Sequence, residues 1–130
     1  MGTIKRFEEL DIWQLARDLC INIEQLFQNT GVGSNYALRN QMEKSSGSIM
    51  DNIAEGFDRG GNKEFINFLS YAKGSAGELK SQFYRCMDKG LISKELFEEN
   101  SIKCQEIQNK IGGFITYLKN SEFKGPKFQR

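Results

Sequence analysis

The sequence contains no histidine. That removes the commonest general base and the usual partner of a serine or cysteine nucleophile, so triad-type hydrolysis has no candidate. Its three cysteines, Cys20, Cys86 and Cys104, stand far apart. Without a Cys-x-x-Cys pair or any histidine they complete no zinc site, and they read as reduced core residues. The one proline, Pro126, lies near the C-terminal end, so it interrupts none of the helical patterns before it. No apolar run approaches the roughly 20 residues that span a bilayer, and the opening Met1-Gly2-Thr3-Ile4-Lys5-Arg6 lacks the apolar core of a secretion signal. A cytoplasmic protein without a membrane partner is the expectation. An excess of either charge is missing too. Lysine and arginine number 18 against 17 acidic residues, a net +1, so any nucleic-acid partner must be held by a local patch.

What is present is helical periodicity. A chain of 130 residues is long enough to bury one core without disulfides or metal. Trp13, Ala16, Cys20, Ile23 and Phe27 recur at steps of three and four over about 10–28, and Ile12, Leu15, Leu19 and Leu26 widen the stripe. Leu38, Met42, Ser45, Ile49, Ile53 and Phe57 mark a second helix over 36–58, after a turn at 29–34 in which Ser34 or Asn35 supplies a cap. Gly60-Gly61 ends that helix, and Asn62 is expected to cap the third. Phe65, Leu69, Ala72, Ala76, Leu79, Phe83 and Cys86 carry the third helix over 63–89. Gly90 ends it, Ser93 caps the fourth, and Phe97, Cys104, Ile107, Ile111, Phe114 and Leu118 extend that one over 94–119. Short links between long helices predict an all-α, antiparallel up-and-down four-helix bundle over 1–120, followed by a flexible basic tail over 121–130.

Several features exceed what a plain bundle needs. Glycine inside a helix costs about 1 kcal/mol relative to alanine, yet Gly47, Gly56, Gly74, Gly77, Gly112 and Gly113 all fall in or at the ends of predicted helices. On the third helix Ser70, Gly74, Gly77 and Ser81 lie nearly opposite the core stripe, a smooth strip on which a second subunit or partner helix can approach closely. A tolerated, solvated face is the plainer reading of the same strip. Gln41, Ser48 and Glu55 lie along one line of the second helix with Asn52 beside them, and Ser75 and Glu78 flank the core of the third. These six form a candidate polar cluster. In it Glu55 and Glu78 are the only pair available for acid–base work, although hydrogen bonding that fixes helix register is the favoured reading because no nucleophile, metal-ligand set or phosphate loop accompanies them. No cofactor and no small-molecule substrate is indicated.

Nucleic-acid contact has a scattered set of candidates: Lys63, Lys73, Lys80, Arg85 and Lys89 on the third helix, with Lys124, Lys127 and Arg130 in the tail, where Phe123 and Phe128 are available for stacking. Tails of this kind are more often simply disordered.

Three stretches carry a family resemblance: Phe7-Glu8-Glu9-Leu10-Asp11-Ile12-Trp13-Gln14-Leu15-Ala16, then Ser48-Ile49-Met50-Asp51-Asn52-Ile53-Ala54-Glu55-Gly56, then Phe65-Ile66-Asn67-Phe68-Leu69 with Ala72-Lys73-Gly74-Ser75 through Glu78-Leu79. In this order they resemble the bacterial four helix bundle proteins, also called 23S rRNA-intervening sequence proteins, over about residues 5 to 120. The resemblance implies an antiparallel bundle. The similar accessory variability determinant of diversity-generating retroelements assembles as a five-membered ring that binds nucleic acid and a reverse transcriptase, which implies a homo-oligomer, a pentamer, with nucleic acid or a nucleic-acid enzyme as a partner. The family name records genes placed inside insertions in ribosomal RNA genes. This chain departs from the pattern where the second helix usually carries adjacent basic residues: here Glu43-Lys44 stand. The expectation is a non-enzymatic, self-assembling scaffold or accessory module whose biochemical role is largely unassigned, with nucleic-acid binding as the alternative.

Overall fold

The computed structural model describes residues 3–121. Four long helices account for nearly all of them: α1 (Asp11–Asn29), α2 (Tyr36–Arg59), α3 (Asn62–Asp88) and α4 (Lys94–Lys119), with single 3₁₀ turns at Phe7–Glu9 and Gly31–Ser34. Each helix packs on its two neighbours around a closed ring, α1 on α2 and α4, and α3 on α2 and α4. Cross-helix contacts fix the directions. Gln41 meets Arg85 and Asn62 meets Leu118, while Asp11 meets Lys110. Each pair joins an early position of one helix to a late position of the other, so neighbours run antiparallel, as the expected four-helix bundle requires.

The helix ends follow from local chemistry. The Leu38 N–H donates to Asn35 Oδ1 at 3.2 Å at the start of α2, and the Leu96 N–H donates to Ser93 Oγ at 3.1 Å at the start of α4. Gly60, at φ 86°, and Gly90, at φ 71°, take the left-handed conformation that lets the chain leave α2 and α3. Asn62 does not cap α3 as expected. Gly61 holds the cap position, and Asn62 is the first helical residue; its Nδ2 donates instead to the Leu118 carbonyl at 2.8 Å. The Leu118 carbonyl, which also accepts from the Ser121 N–H, takes the amide donor, and Asn62 Oδ1, the atom a cap would use, is buried without a partner.

The predicted core stripes of α2, α3 and α4 are buried in full, and α1 buries Ile12, Trp13, Ala16, Leu19, Ile23, Leu26 and Phe27 while Leu15 and Cys20 sit half-buried at its edges. Phe57, Phe65 and Phe114 meet edge to face at 5.9 and 5.4 Å, joining three helices at one end. The polar buried residues that periodicity missed are Ser46, Gln82 and Asn100, beside the apolar Leu10, Val32 and Ile92 between the helices. Ser46 Oγ donates to the Glu43 carbonyl and Asn100 Nδ2 to the Leu96 carbonyl, so each donor is satisfied by its own helix and needs no hydrophobic signal. Among the described residues no helix is long and apolar enough to cross a membrane.

Gly56 sits where α2 and α3 cross. A Cβ there would lie 2.6 Å from Phe68 Cβ and 3.0 Å from Phe65 Cδ1, whereas one at Gly47 would meet nothing within 4 Å. Gly56→Ala is therefore expected to destabilise by about 1–3 kcal/mol through overpacking, and Gly47→Ala to stabilise by up to about 1 kcal/mol; urea unfolding of the two variants checks the sign of each.

All three cysteines are free. Burial pushes the Cys104 thiol up to about 12 and the Cys86 thiol up to about 11, and raises that of half-buried Cys20. Each folded value lies above the unfolded one, so the fold favours the neutral thiol. That contribution is complete below the ordinary thiol range of about 8.5 and is lost as pH climbs through the folded values. The melting temperature is expected to fall above about pH 9, and a thiol reagent on the native protein is expected to label Cys20 before Cys86 or Cys104.

Candidate functional site

The seam between α2 and α3 gathers most of the residues that the sequence marks as odd. Ser48 faces Ser75, their hydroxyls 2.8 Å apart, and Asn52 Nδ2 donates to the Ser48 hydroxyl at 2.9 Å and to its carbonyl at 2.8 Å. One turn and more toward the start of α2, Arg85 Nη1 donates to Gln41 Oε1 at 2.8 Å. Of the six polar-cluster residues Ser48, Asn52 and Ser75 are thus in contact; Gln41 and Glu78 line a hollow with Lys44, Ser45, Ser48 and Gln82, and Asn52 and Glu55 line a neighbouring one with Ser48. The stretch Ser48–Gly56 and the stretch Ala72–Leu79, which carry the family resemblance, meet here across the groove.

Glu55 does not join Glu78. Its Oε2 accepts from Arg59 Nη2 at 2.8 Å, an exposed i,i+4 ion pair, and the Arg59 guanidinium also lies 5.1 Å above the Phe68 ring. Since Gly56 packs on Phe68, Glu55 stands at the level of Phe68, and Glu78 is ten residues farther along α3, about 15 Å at 1.5 Å per residue. The acid–base pair considered from sequence is excluded by this spacing. Neither carboxylate takes the serine and asparagine hydrogen bonds that the register reading assigned to them: the one hydrogen bond across the seam here is Ser48–Ser75, and Asn52 bonds Ser48 within α2. Among the described residues no three histidine, cysteine, aspartate or glutamate side chains converge as a metal ion requires.

The small-residue strip divides. Ser70, Gly74 and Ser81 are exposed on the outer side of α3, and nothing lies within 4 Å of a Cβ at Gly74. Gly77 belongs to the seam with α4 instead: a Cβ there would lie 2.8 Å from Gln108 Nε2, which reaches across to donate to the Lys73 carbonyl at 3.2 Å. Its lack of a side chain serves the bundle itself. The basic residues of α3 do not form a stripe. Lys80 Nζ donates to Gln105 Oε1 on α4 at 2.7 Å, and the Lys73 ammonium lies over Gly112 of α4. Arg85 leans on α2, and Lys63 and Lys89 stand at opposite ends of the helix. Lys124, Lys127 and Arg130 lie outside the described residues.

Gln82 is the member of this site that sequence reasoning missed. It is only 4% exposed, and its Oε1 is closed to solvent without a hydrogen-bond partner. The spacing Leu79, Gln82, Phe83, Cys86 places it at the core edge; its polarity hid it from a search for apolar positions. The Ser48–Ser75 bond is expected to couple the two helices by about 0.5–1.5 kcal/mol, measured as the non-additivity of Ser48→Ala and Ser75→Ala in a double-mutant cycle; additive losses would assign the seam's register to packing alone.

A family model described as 23S rRNA-intervening sequence protein matches residues 8–113. No curated protein matches the chain. Among solved structures, that of a protein of unknown function from the S23 ribosomal protein family of Bacteroides thetaiotaomicron is similar, with a TM-score of 0.73 at 20% identity, covering 80% of this chain and 97% of that one. At that identity the likeness is one of fold. The family match spans both stretches that meet across the α2–α3 groove and takes in most of the four helices, and on it the chain belongs to the 23S rRNA-intervening sequence protein family.

Proposed function

We propose that the protein is a cytoplasmic, non-enzymatic helical module that self-associates through the outer face of α3 and acts as a scaffold or accessory for another macromolecule. The observation that carries this is Gly74. It lies in the middle of the longest helix, where glycine costs about 1 kcal/mol, and nothing in the protomer comes within 4 Å of where its side chain would stand. Gly56 and Gly77 have intramolecular reasons; Gly74 has none. Tyr71, 61% exposed, stands one turn away on the same side, flanked by exposed Ser70. A tyrosine beside bare backbone is the composition of a helix-contact surface, large apolar area next to close approach. The three free thiols fit a reducing compartment.

A five-membered ring is the assembly that the resemblance to the retroelement accessory protein implies, and the count of subunits belongs to the proposal. Nucleic-acid binding has weaker support, because the basic side chains of α3 point toward α2, toward α4 and to the two helix ends. Phosphate contact spread in this way gains little from any one docking orientation.

Light scattering on a size-exclusion column tests the assembly. The parent is expected to run as a discrete multiple of its 14.9 kDa chain, and Gly74→Leu to lower that mass with helix content unchanged. Gly77→Leu is not an equivalent probe, since a side chain there collides with Gln108. A monomeric parent, or a variant that keeps the parent's mass, overturns the reading.

A further inference from the structure

The seam between α1 and α4 holds polar groups that neither the bundle nor the α3 face uses. Two hollows of about 390 and 210 Å³ meet there end to end, sharing Asn22 of α1 and Lys103 of α4. Together they form a trough that follows α1 from Leu15 to Thr30, about 22 Å of helix at 1.5 Å per residue. The wider hollow has Leu15, Leu19 and Ile107 as its apolar lining, with half-exposed Ile21 at its edge. The narrower one is lined by amides: Asn22, Gln25 and Asn29 succeed one another along one face of α1, and Asn100 stands across from them on α4.

Asn100 points independently to a guest. It is only 3% exposed, and its Nδ2 donates to the Leu96 carbonyl at 2.8 Å, while its Oδ1 receives no donor among the described residues. The side-chain atoms shut off from solvent without a partner are, among the described residues, Asn62 Oδ1 and Gln82 Oε1. Asn100 Oδ1 is not one of them, so it keeps an opening, and the hollow that Asn100 lines is the narrow one. An acceptor so nearly buried is met only by a donor that enters this hollow. On the facing helix Asn22, Gln25 and Asn29 enter no hydrogen bond among the described residues, and each amide offers both donors and an acceptor.

A donor for Asn100, with donors and acceptors for three amides in a row, is what a peptide main chain supplies, since it alternates N–H and C=O. The length agrees: about 22 Å takes about six or seven extended residues, a span that a chain fills and a small metabolite does not. Charge complementarity narrows the sequence. Beside the apolar lining of the wider hollow stand Asp18 and Glu106, which enter no ion pair among the described residues, and Lys103, which pairs with Glu99 at 3.9 Å. An apolar side chain next to a basic one suits that surround, and an acidic one does not. We propose that the α1–α4 trough docks an extended peptide segment of a partner protein, its main chain held by Asn100 and the α1 amides and an apolar side chain seated on Leu15, Leu19 and Ile107. The inference goes beyond self-association and stands without it, since α3 packs on α2 and α4 and lies diagonal to α1.

The test pans a phage-displayed library of random peptides of about seven residues against the full chain. A labelled, end-blocked copy of the enriched peptide is then titrated by fluorescence anisotropy. The enriched sequences are expected to place leucine, isoleucine or methionine beside lysine or arginine. Asn100→Leu, close in size but without the acceptor, is expected to weaken binding by about three- to tenfold with the circular dichroism melt retained. Asn22→Trp, at the junction of the two hollows, is expected to abolish binding, and Gly74→Leu to bind as the parent does. Methylating the peptide's main-chain nitrogens is expected to weaken binding to the parent at least as much as Asn100→Leu does. Neither Asn22→Trp nor the methylated peptide depends on the folding of Asn100→Leu. A library without any enriched sequence overturns the proposal, as does equal affinity for the parent and Asn22→Trp, or for the methylated and unmethylated peptides. A fall in solution mass on Asn22→Trp also overturns it, by showing that a second copy of the chain occupies the trough.

Discussion

The bundle turns on the place where α2 and α3 come close enough for backbone to meet side chain, at Gly56 against Phe65 and Phe68. A glycine there lets the two helices approach without displacing either ring, and the approach sets their register. With Gly56 seated on Phe68, Ser48 falls opposite Ser75 and Gln41 opposite Arg85. The same end of the molecule holds the Phe57, Phe65 and Phe114 contacts, so the crossing of α2 and α3 also fixes where α4 packs. Close-packed interiors tolerate little change of volume, and a single methyl group at this crossing is felt by three helices.

Register then decides which chemistry the surface holds. It brings Ser48 and Ser75 within hydrogen-bonding distance and keeps Glu55 and Glu78 about 15 Å apart along the helices. In the serine–asparagine link each group satisfies another. The carboxylates of Glu43, Asp51 and Glu78, which enter no ion pair among the described residues, stand along the groove.

The helical glycines separate by what stands over them. At Gly56 and Gly77 a neighbouring side chain occupies the space that a Cβ would need, and at Gly33 a Cβ would collide with the Phe27 carbonyl oxygen. These residues are required by the protomer. Gly47, Gly74 and Gly113 meet nothing within 4 Å, and exposed tyrosines stand one turn from two of them, Tyr71 from Gly74 and Tyr117 from Gly113. That contrast is invisible in a count of glycines.

The sequence by itself determined the helices and their core faces, because apolar side chains at three-four spacing have one way to leave water together. It determined the ends as well: Asn35, Gly60, Gly90 and Ser93 do locally what their chemistry predicts. Asn62 failed because its amide turns to the Leu118 carbonyl of α4, 56 positions away in the chain, and no local rule contains that partner. Gln82 escaped notice because burial of a polar group leaves no hydrophobic mark. Only the tertiary structure decided that Gly77 serves Gln108 while Gly74 serves nothing in the protomer, that Glu55 turns to Arg59, and that the basic residues of α3 face different ways. Those outcomes depend on which helix lies beside which and at what register, and periodicity along one chain fixes neither.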